Sequence, residues 1–365
     1  MFDLNSEAIF NDRCTFCGAC AAVCDKINMD EEAGVPKLEE VCRSDDEVCL
    51  KICPRQSLDV ESIEKSLFGE QRTDAVLGVY KKVVSARSRN SNIVKHAQSG
   101  GFVTSLLISA LENGIIDAAV VTSSDFTKGE NPRAIVVNSK EEIIAASGSK
   151  YTPCSTILGL KQAAEEGYQR VGFVGLPCHI EALRNLQTSQ FDITFAKNIA
   201  LVIGLFCSKS FSHNEFMQAS KETVGKEKIR KFDMKGKNFF IYTEKDKEYK
   251  VPLKNLDEFA RNACKLCLDY TAELADISAG SVGSPAGYSS VIVRSEAGLQ
   301  AFDIAVKKKY IEVQDMEPKD IDKIREQASK KRKLGFQEIL SQVSPVKLMH
   351  LVLKPKQLRI EPLLE

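Results

Sequence analysis

The run "CTFCGACAAVC" restricts this chain more than any other feature, because it sets Cys14, Cys17, Cys20 and Cys24 at the spacing C-x2-C-x2-C-x3-C. The tight turns that this spacing forces suit an iron–sulfur cluster, since sulfurs two residues apart converge on adjacent irons. Gly18, inside the run, lets the backbone come close to the cluster. Seven of the twelve cysteines fall in the first 53 residues. Such clustering in a chain without a secretory signal points to metal ligation rather than a disulfide framework.

The second half of the block is "CRSDDEVCLKICP", with Cys42, Cys49 and Cys53 closed by Pro54. The block resembles a two-cluster ferredoxin, in which the last cysteine returns to the first cluster. On that pattern Cys14, Cys17, Cys20 and Cys53 hold one 4Fe–4S cluster. Cys24, Cys42 and Cys49 remain for a second. Asp46 stands where the middle cysteine is expected, and Asp25 replaces the usual proline. The second site is then a 3Fe–4S cluster, a 4Fe–4S cluster with a carboxylate or solvent ligand, or empty.

Lys+Arg and Asp+Glu are equal at 50 each, so no net field advertises nucleic acid or an anionic membrane. "MFDLNSEAIFNDRC" lacks the apolar core of a signal peptide, and no apolar run reaches the length of a membrane span. The expectation is a cytoplasmic chain whose membrane contact, if any, comes through a partner. The absence of Trp beside abundant Lys and Glu hints at an archaeal or thermophilic host.

From Val79 onward short apolar runs alternate with amphipathic stretches. "YKKVVSARS", "IDAAVVTSS", "RAIVVN", "RVGFVGLP" and "NIALVIGLFC" read as strands. "GFVTSLLISALENG", ending at Gly114, and "STILGLKQAAEEGY" read as helices. The fold class expected is an α/β layered domain, preceded by a small ferredoxin-like domain and followed by a helical C-terminal region. Its boundaries are 1–60 for the iron–sulfur domain, 61–78 for a linker, 79–294 for the α/β domain and 295–365 for the extension.

Three features fall at strand ends, where open α/β sheets bind ligands. "HAQSGGFVT" opens a helix with Gly100 and Gly101, either to receive a phosphate or as a tight turn capped by Ser99. "GLPC" and "GLFC" bring Cys178 and Cys207 to two strand ends, and "RNACKLC" adds Cys264 and Cys267 downstream. These four thiols are either a cluster site or a reduced CxxC beside two core cysteines. Cys154 is expected to be a structural thiol. No G-x-G-x-x-G follows a strand, and neither a Walker A sequence nor a G-x-S-x-G elbow is present. Four scattered histidines, His96, His179, His213 and His350, do not suggest a zinc enzyme.

"SGGFVTSLLISALENGIIDAAVV", "SGSKYTPCS", "VGLPCHIEALRNL", "IGLFCSKSF" and "ARNACKLCLDYTAELADISAGSVGSPAGYSSVIVR" resemble, in order, the beta-subunit family of coenzyme F420 hydrogenases and dehydrogenases. The resemblance runs from about Gly78 to Arg294. It implies an FAD-bearing α/β domain, a 4Fe–4S cluster on Cys178, Cys207, Cys264 and Cys267 beside the flavin, and coenzyme F420 as substrate. Ser99, Gly100, Gly101, Phe102, Val103 and Thr104 are then expected at the FAD phosphate and ribose. Lys150 and Tyr151 supply charge and stacking, and Glu273, Asp276, Gly283 and Ser284 neighbour the flavin or deazaflavin. The chain departs from the commoner pattern at His179 and Tyr288.

The function implied is hydride exchange between F420 and FAD, with single electrons passing through two or three clusters to a partner. That partner would be a subunit of a hydrogenase, formate dehydrogenase, F420 dehydrogenase or heterodisulfide reductase-type complex. The rivals are a ferredoxin-driven reductase similar to the hydroxymethyl-chlorophyll reductases, and a relay subunit without catalysis. The stretch from about Asp315 to Gln342, with "KKRK", reads as a solvated helix face, a docking surface, or an aid to binding the acidic F420 tail.

Overall fold

The computed structural model describes residues 4, 8–39, 47–56, 58–69 and 72–342. Cys42 and Asp46 of the cysteine block lie outside the described residues, as does the extension beyond residue 342. Among the described residues no helix is long and apolar enough to cross a membrane.

The cysteine block forms only short elements: α1 (Ala19–Val23), a hairpin of β1 (Ile27–Asp30) and β2 (Val35–Leu38), and α2 (Val48–Lys51). The stretch expected as a linker contains α3 (Val60–Phe68), started by the Asp59 carboxylate accepting from the Ser62 N–H. Its inward Glu64 is buried and paired with Arg72, so this connection is packed down.

The α/β region follows with β3 (Lys82–Ser88), α4 (Ser91–His96), α5 (Phe102–Glu112), β4 (Ala118–Ser123), β5 (Arg133–Val137), α6 (Lys140–Ala145), α7 (Thr156–Glu165), β6 (Val171–Gly175), α8 (Pro177–Thr188), α9 (Thr194–Lys197) and β7 (Ile199–Leu205). Then α10 (His213–Val224) leads into a separate antiparallel sheet of β8 (Ile229–Lys235), β9 (Asn238–Thr243) and β10 (Glu248–Pro252). After α11 (Asn262–Lys265), the chain returns to the main sheet through β11 (Ile277–Gly280), β12 (Ser289–Val293), α12 (Glu296–Lys307), β13 (Ile311–Asp315) and the long α13 (Pro318–Gln342).

The main sheet has eight strands in the order β13-β3-β12-β11-β7-β6-β4-β5. β11, β7, β6 and β4 are parallel neighbours, and the remaining pairs are antiparallel. The continuous apolar runs of β4 and β7 follow from this, because central parallel strands are covered on both faces. One face carries α5 and α12, with Phe102, Leu106, Leu107 and Phe302 buried in one core. Burial on this scale contributes about 1.5–3 kcal/mol per large apolar side chain. The other face carries α7 and α8, and onto it pack Cys17, Ala19 and Ala22 of the cysteine block together with Ile52, Val60 and Ile63.

Two expectations change. The region after residue 294 is not wholly helical, because β13 pairs with β3 at the edge of the main sheet. "IEVQD" is short and half-polar, as an edge strand with one solvated side is. The β8–β10 sheet was not anticipated, although "NFFIYT" alternates buried and half-buried side chains along β9.

Candidate cofactor site

The parallel strands deliver their carboxyl ends to one rim of the sheet, and a cavity of about 1720 Å³ opens there. Its walls come from Gln98 to Thr104 at the start of α5, Ser147 to Thr152, the ends of β6, β7 and β11, the β8–β9 turn and the inner face of α13. A single drug-sized ligand occupies roughly 300–1,000 Å³. This cavity has room for a dinucleotide and a second ring system.

The α5 end of the cavity is shaped by two glycines. Gly101 holds φ +70°, a left-handed conformation at the N-terminus of the helix. A Cβ on Gly100 would stand 2.8 Å from the Ala86 carbonyl oxygen and 2.9 Å from the Ser289 nitrogen, both rigid backbone. Loop and strand touch only because neither position has a side chain. The first turn of α5, Phe102 to Thr104, lines the cavity, and a helix N-terminus leaves N–H groups without intrahelical partners. Beside it the Gln98 side chain donates to Asp233, and its buried carbonyl oxygen has no partner. An orphaned acceptor and a side-chain-free cradle at a helix N-terminus fit a nucleotide cofactor.

The expected site residues separate into two groups. Ser99, Gly101, Phe102, Val103, Thr104, Lys150 and Tyr151 line the cavity, and Gly100 supports it from behind. The Lys150 ammonium donates to the carbonyls of Ala146, Ser147 and Gly148 at 2.6, 3.3 and 2.9 Å, so its charge closes a turn of the wall. Burial lowers its pKa to about 8. The Tyr151 ring packs edge-on against Phe239.

Glu273, Asp276, Gly283 and Ser284 lie off the cavity wall. Glu273 is fully buried in ion pairs with Arg332 at 2.6 Å and Arg72 at 3.1 Å. Asp276 accepts from the Val202 N–H and the Ser295 hydroxyl. Gly283 sits beneath α13, and Ser284 bonds Ser85 and Ser290. Their polar groups are engaged in holding strands and helix together.

The cysteines form two sets. In the first, Cys53 stands close enough to raise the pKa of Cys14, Cys17 and Cys20, although burial acts first on each of the four. Burial pushes the Cys14 thiol up to about 11 and the Cys17 thiol to about 12. Cys49 stands near Cys20, whereas Cys24 is partly exposed at the end of α1. The second set joins Cys178 at the start of α8, Cys207 just beyond β7, and Cys264 and Cys267 around α11, all lining one small cavity. Burial raises the Cys178 thiol strongly and the Cys207 thiol to about 12.

Buried thiols with raised pKa values give up their protons when metal takes their place. Among the described residues no three His, Cys, Asp or Glu side chains converge tightly enough to grip a single ion. The all-thiol composition of both sets fits an iron–sulfur cluster, which is held by Cys thiolates. Cys154 belongs to neither set; it is buried in the wall of the large cavity.

Sequence reasoning missed the cations around the inner set. Arg55, Arg261 and Lys331 line the same small cavity as the four thiols. Arg55 follows Cys53 by two residues, and its guanidinium also approaches Glu181 at 3.9 Å. The "KKRK" run is solvated on one side only: Lys331 donates to the Cys207 carbonyl and Arg332 is fully buried against Glu273. Only helical phase distinguishes these two from Lys330 and Lys333, which are exposed. At Gly335 a Cβ would stand 2.7 Å from the Cys267 carbonyl, so α13 lies directly on the CxxC turn.

The two cavities adjoin, sharing Leu176, His179, Cys207, Ser210, Cys264 and Lys331. His179 is buried, bonded through Nδ1 to the Thr156 hydroxyl at 2.9 Å, and burial lowers its pKa to about 4. The imidazole is neutral at this junction. Tyr288 stands outside both cavities, under the Arg87 guanidinium and bonded to Glu312.

Comparison with known proteins gives this geometry a context. Residues 83–161 match the N-terminal model of the coenzyme F420 hydrogenase/dehydrogenase beta subunit, and residues 168–319 match its C-terminal model. Coenzyme F420 hydrogenase subunit beta of Methanothermobacter thermautotrophicus is 38% identical over 269 residues, covering 72% of this chain and 92% of that protein. An F(420)H(2) dehydrogenase subunit of Methanosarcina mazei is 30% identical over 362 residues, covering 93% of this chain and 96% of that protein. A chain of the F420-reducing NiFe hydrogenase complex from Methanosarcina barkeri superposes with a TM-score of 0.69 at 32% identity, covering 74% of this chain and 94% of that one. By sequence and by mixed α/β fold alike, the chain belongs to the coenzyme F420 hydrogenase/dehydrogenase beta-subunit family.

Proposed function

We propose that this chain exchanges a hydride between coenzyme F420 and an FAD held in the large cavity, and passes single electrons through both cysteine sets to a partner subunit. One observation carries the reading: the large cavity and the inner four-thiol cavity share a wall that includes Cys207 and Cys264. FAD supplies the change from an electron pair to single electrons, and iron–sulfur clusters accept electrons one at a time.

The chain's own contribution is to bind, orient and exclude water. The first turn of α5, opened by Ser99 and Gly101 and backed by Gly100, would receive the cofactor's phosphates through its free backbone N–H groups. The unpartnered Gln98 carbonyl oxygen accepts a hydrogen bond from the bound nucleotide. The neutral His179 and the apolar Leu176 leave Lys331 as the one cation of the shared wall. Cys178, Cys207, Cys264 and Cys267 hold the inner cluster, and Cys14, Cys17, Cys20 and Cys53 hold the next. Hydride transfer needs positioning above all, and no acid or base is assigned. The basic side chains Lys237, Lys254, Lys265 and Lys330 around the cavity mouth suit an anionic substrate tail.

The test is anaerobic turnover. Protein loaded with FAD and iron, given reduced F420 and a viologen, is expected to reduce the dye as F420 is oxidised. No turnover in protein that retains flavin and iron overturns the reading in favour of a ferredoxin-driven reductase of another ring.

A further inference from the structure

The inner thiol set has a distinctive electrostatic setting. Of the three cations that line its cavity, Arg261 is engaged by the Cys14 and Gly34 carbonyls, and the other two approach from different directions on unrelated elements. Arg55 comes from the N-terminal block, one residue past the Cys53–Pro54 step, and its side chain reaches the inner cavity. Lys331 comes from α13; it lines both the inner and the large cavity and is fixed by the Cys207 carbonyl. Arg55 therefore stands between the two thiol sets, and Lys331 between the inner set and the large cavity.

The two cations are compensated differently. Arg55 has Glu181 as a counter-ion at 3.9 Å, and Glu181 is itself buried. Lys331 bonds a neutral carbonyl, and the nearby opposite charge is the buried Asp269 carboxylate, which makes no ion pair with it. A fixed positive charge beside a cluster stabilises the reduced form, which carries one more negative charge, and raises the reduction potential. Low-dielectric surroundings keep that effect from being screened.

We propose that Lys331 and Arg55 are potential-setting residues: Lys331 raises the reduction potential of the inner cluster alone, and Arg55 raises that of both clusters because it lies between them. By position, against the large cavity, the inner site is the first stop for an electron leaving it. This rests on the reading that both thiol sets carry clusters, and it adds which residues set their potentials. Neither residue touches the substrate; each acts through the ligands.

The test is an EPR-monitored redox titration of the full chain loaded with iron and sulfide. The two signals are assigned by their loss in Cys264→Ser and Cys17→Ser. In Lys331→Gln the inner midpoint is expected to move to a more negative potential with the N-terminal midpoint unchanged. In Arg55→Gln both are expected to move negative. Lys331→Arg, which keeps the charge, should restore the inner midpoint. Iron content and the EPR line shape show whether each variant still holds its clusters. Where Lys331→Gln proves too unstable to load, Lys331→Met coexpressed with the cluster-assembly machinery provides the same measurement. Unmoved midpoints in loaded variants overturn the proposal while leaving the cluster reading intact. Absence of any cluster signal in the wild-type chain overturns that reading itself.

Discussion

The two cysteine sets arrive at similar surroundings by different routes. Cys14, Cys17 and Cys20 lie within a single turn-rich run, and Cys53 joins them from the end of the same short block. Cys178, Cys207, Cys264 and Cys267 come together only because β6 and β7 are neighbours and α11 folds back over their carboxyl ends. Local spacing makes the first set; the main sheet makes the second. Assembly by the sheet puts the second set against the large cavity, a position that local spacing alone cannot specify.

The largest effects should come from cutting one set and leaving the other. Cys264→Ser is expected to remove the inner EPR signal and end dye reduction by F420, with the N-terminal signal retained. Cys17→Ser is expected to do the reverse: flavin is still bleached by reduced F420, but delivery to the physiological partner stops. Loss of both signals in either variant would break the distinction between the sets.

Next in size is a fold defect that touches no cysteine. Arg332 and Glu273 form a fully buried pair, and Arg332 also donates to the Ala75 and Val76 carbonyls. Removing one partner of such a pair costs roughly 3–5 kcal/mol, and Arg72 beside Glu273 places the loss at the lower end. Arg332→Met should lower the urea midpoint accordingly and release the inner iron at lower denaturant than the N-terminal iron. Simultaneous release would show that the inner set does not depend on α13.

A smaller effect is expected at Gly100. Gly100→Ala presses a methyl group against backbone at Ala86 and Ser289, which costs about 1–3 kcal/mol of strain. FAD affinity measured by fluorescence quenching should fall about tenfold or more, with iron content unchanged.

The smallest effect is a pH dependence of the cavity wall. Lys150 has a pKa of about 8 in the folded chain against 10.5 as its ordinary value. Between those values the unfolded chain holds the proton and the folded chain does not. Stability therefore rises with pH across that window, by on the order of 1–3 kcal/mol. Lys150→Met should flatten this rise in urea titrations across the same window. A wild-type curve already flat there would mean that the three carbonyls fully offset burial.

Much of this molecule was legible before its folding was considered. The five strands read from apolar runs all form, most plainly β4, β6 and β7, because central parallel strands need near-continuous apolarity. The α5 and α7 helices are likewise where periodicity puts them. What escaped was set by tertiary pairing. β13 and the β8–β10 sheet contain too many Lys, Glu and Asp residues to advertise burial. Arg55 and Lys331 look like ordinary surface charges in sequence, and only the convergence of α13 and the N-terminal block turns them inward. Glu273 and Asp276 show the opposite case: acidic residues beside a CxxC invite a cofactor role, and the structure engages both in strapping the fold together.

Much of the seam between the cysteine block and the sheet is anchored on backbone carbonyls of the block. The Ile157 N–H donates to the Cys17 carbonyl, Arg261 to the carbonyls of Cys14 and Gly34, and Asn185 to that of Ile52. Among the described residues these bonds tie the block to the sheet at four places. On the proposed function, electrons crossing from one thiol set to the other would tunnel over a fixed gap, so thickening the solvent with sucrose should leave that step's rate unchanged. Only the encounters at either end, with the soluble coenzyme and with the partner, should slow.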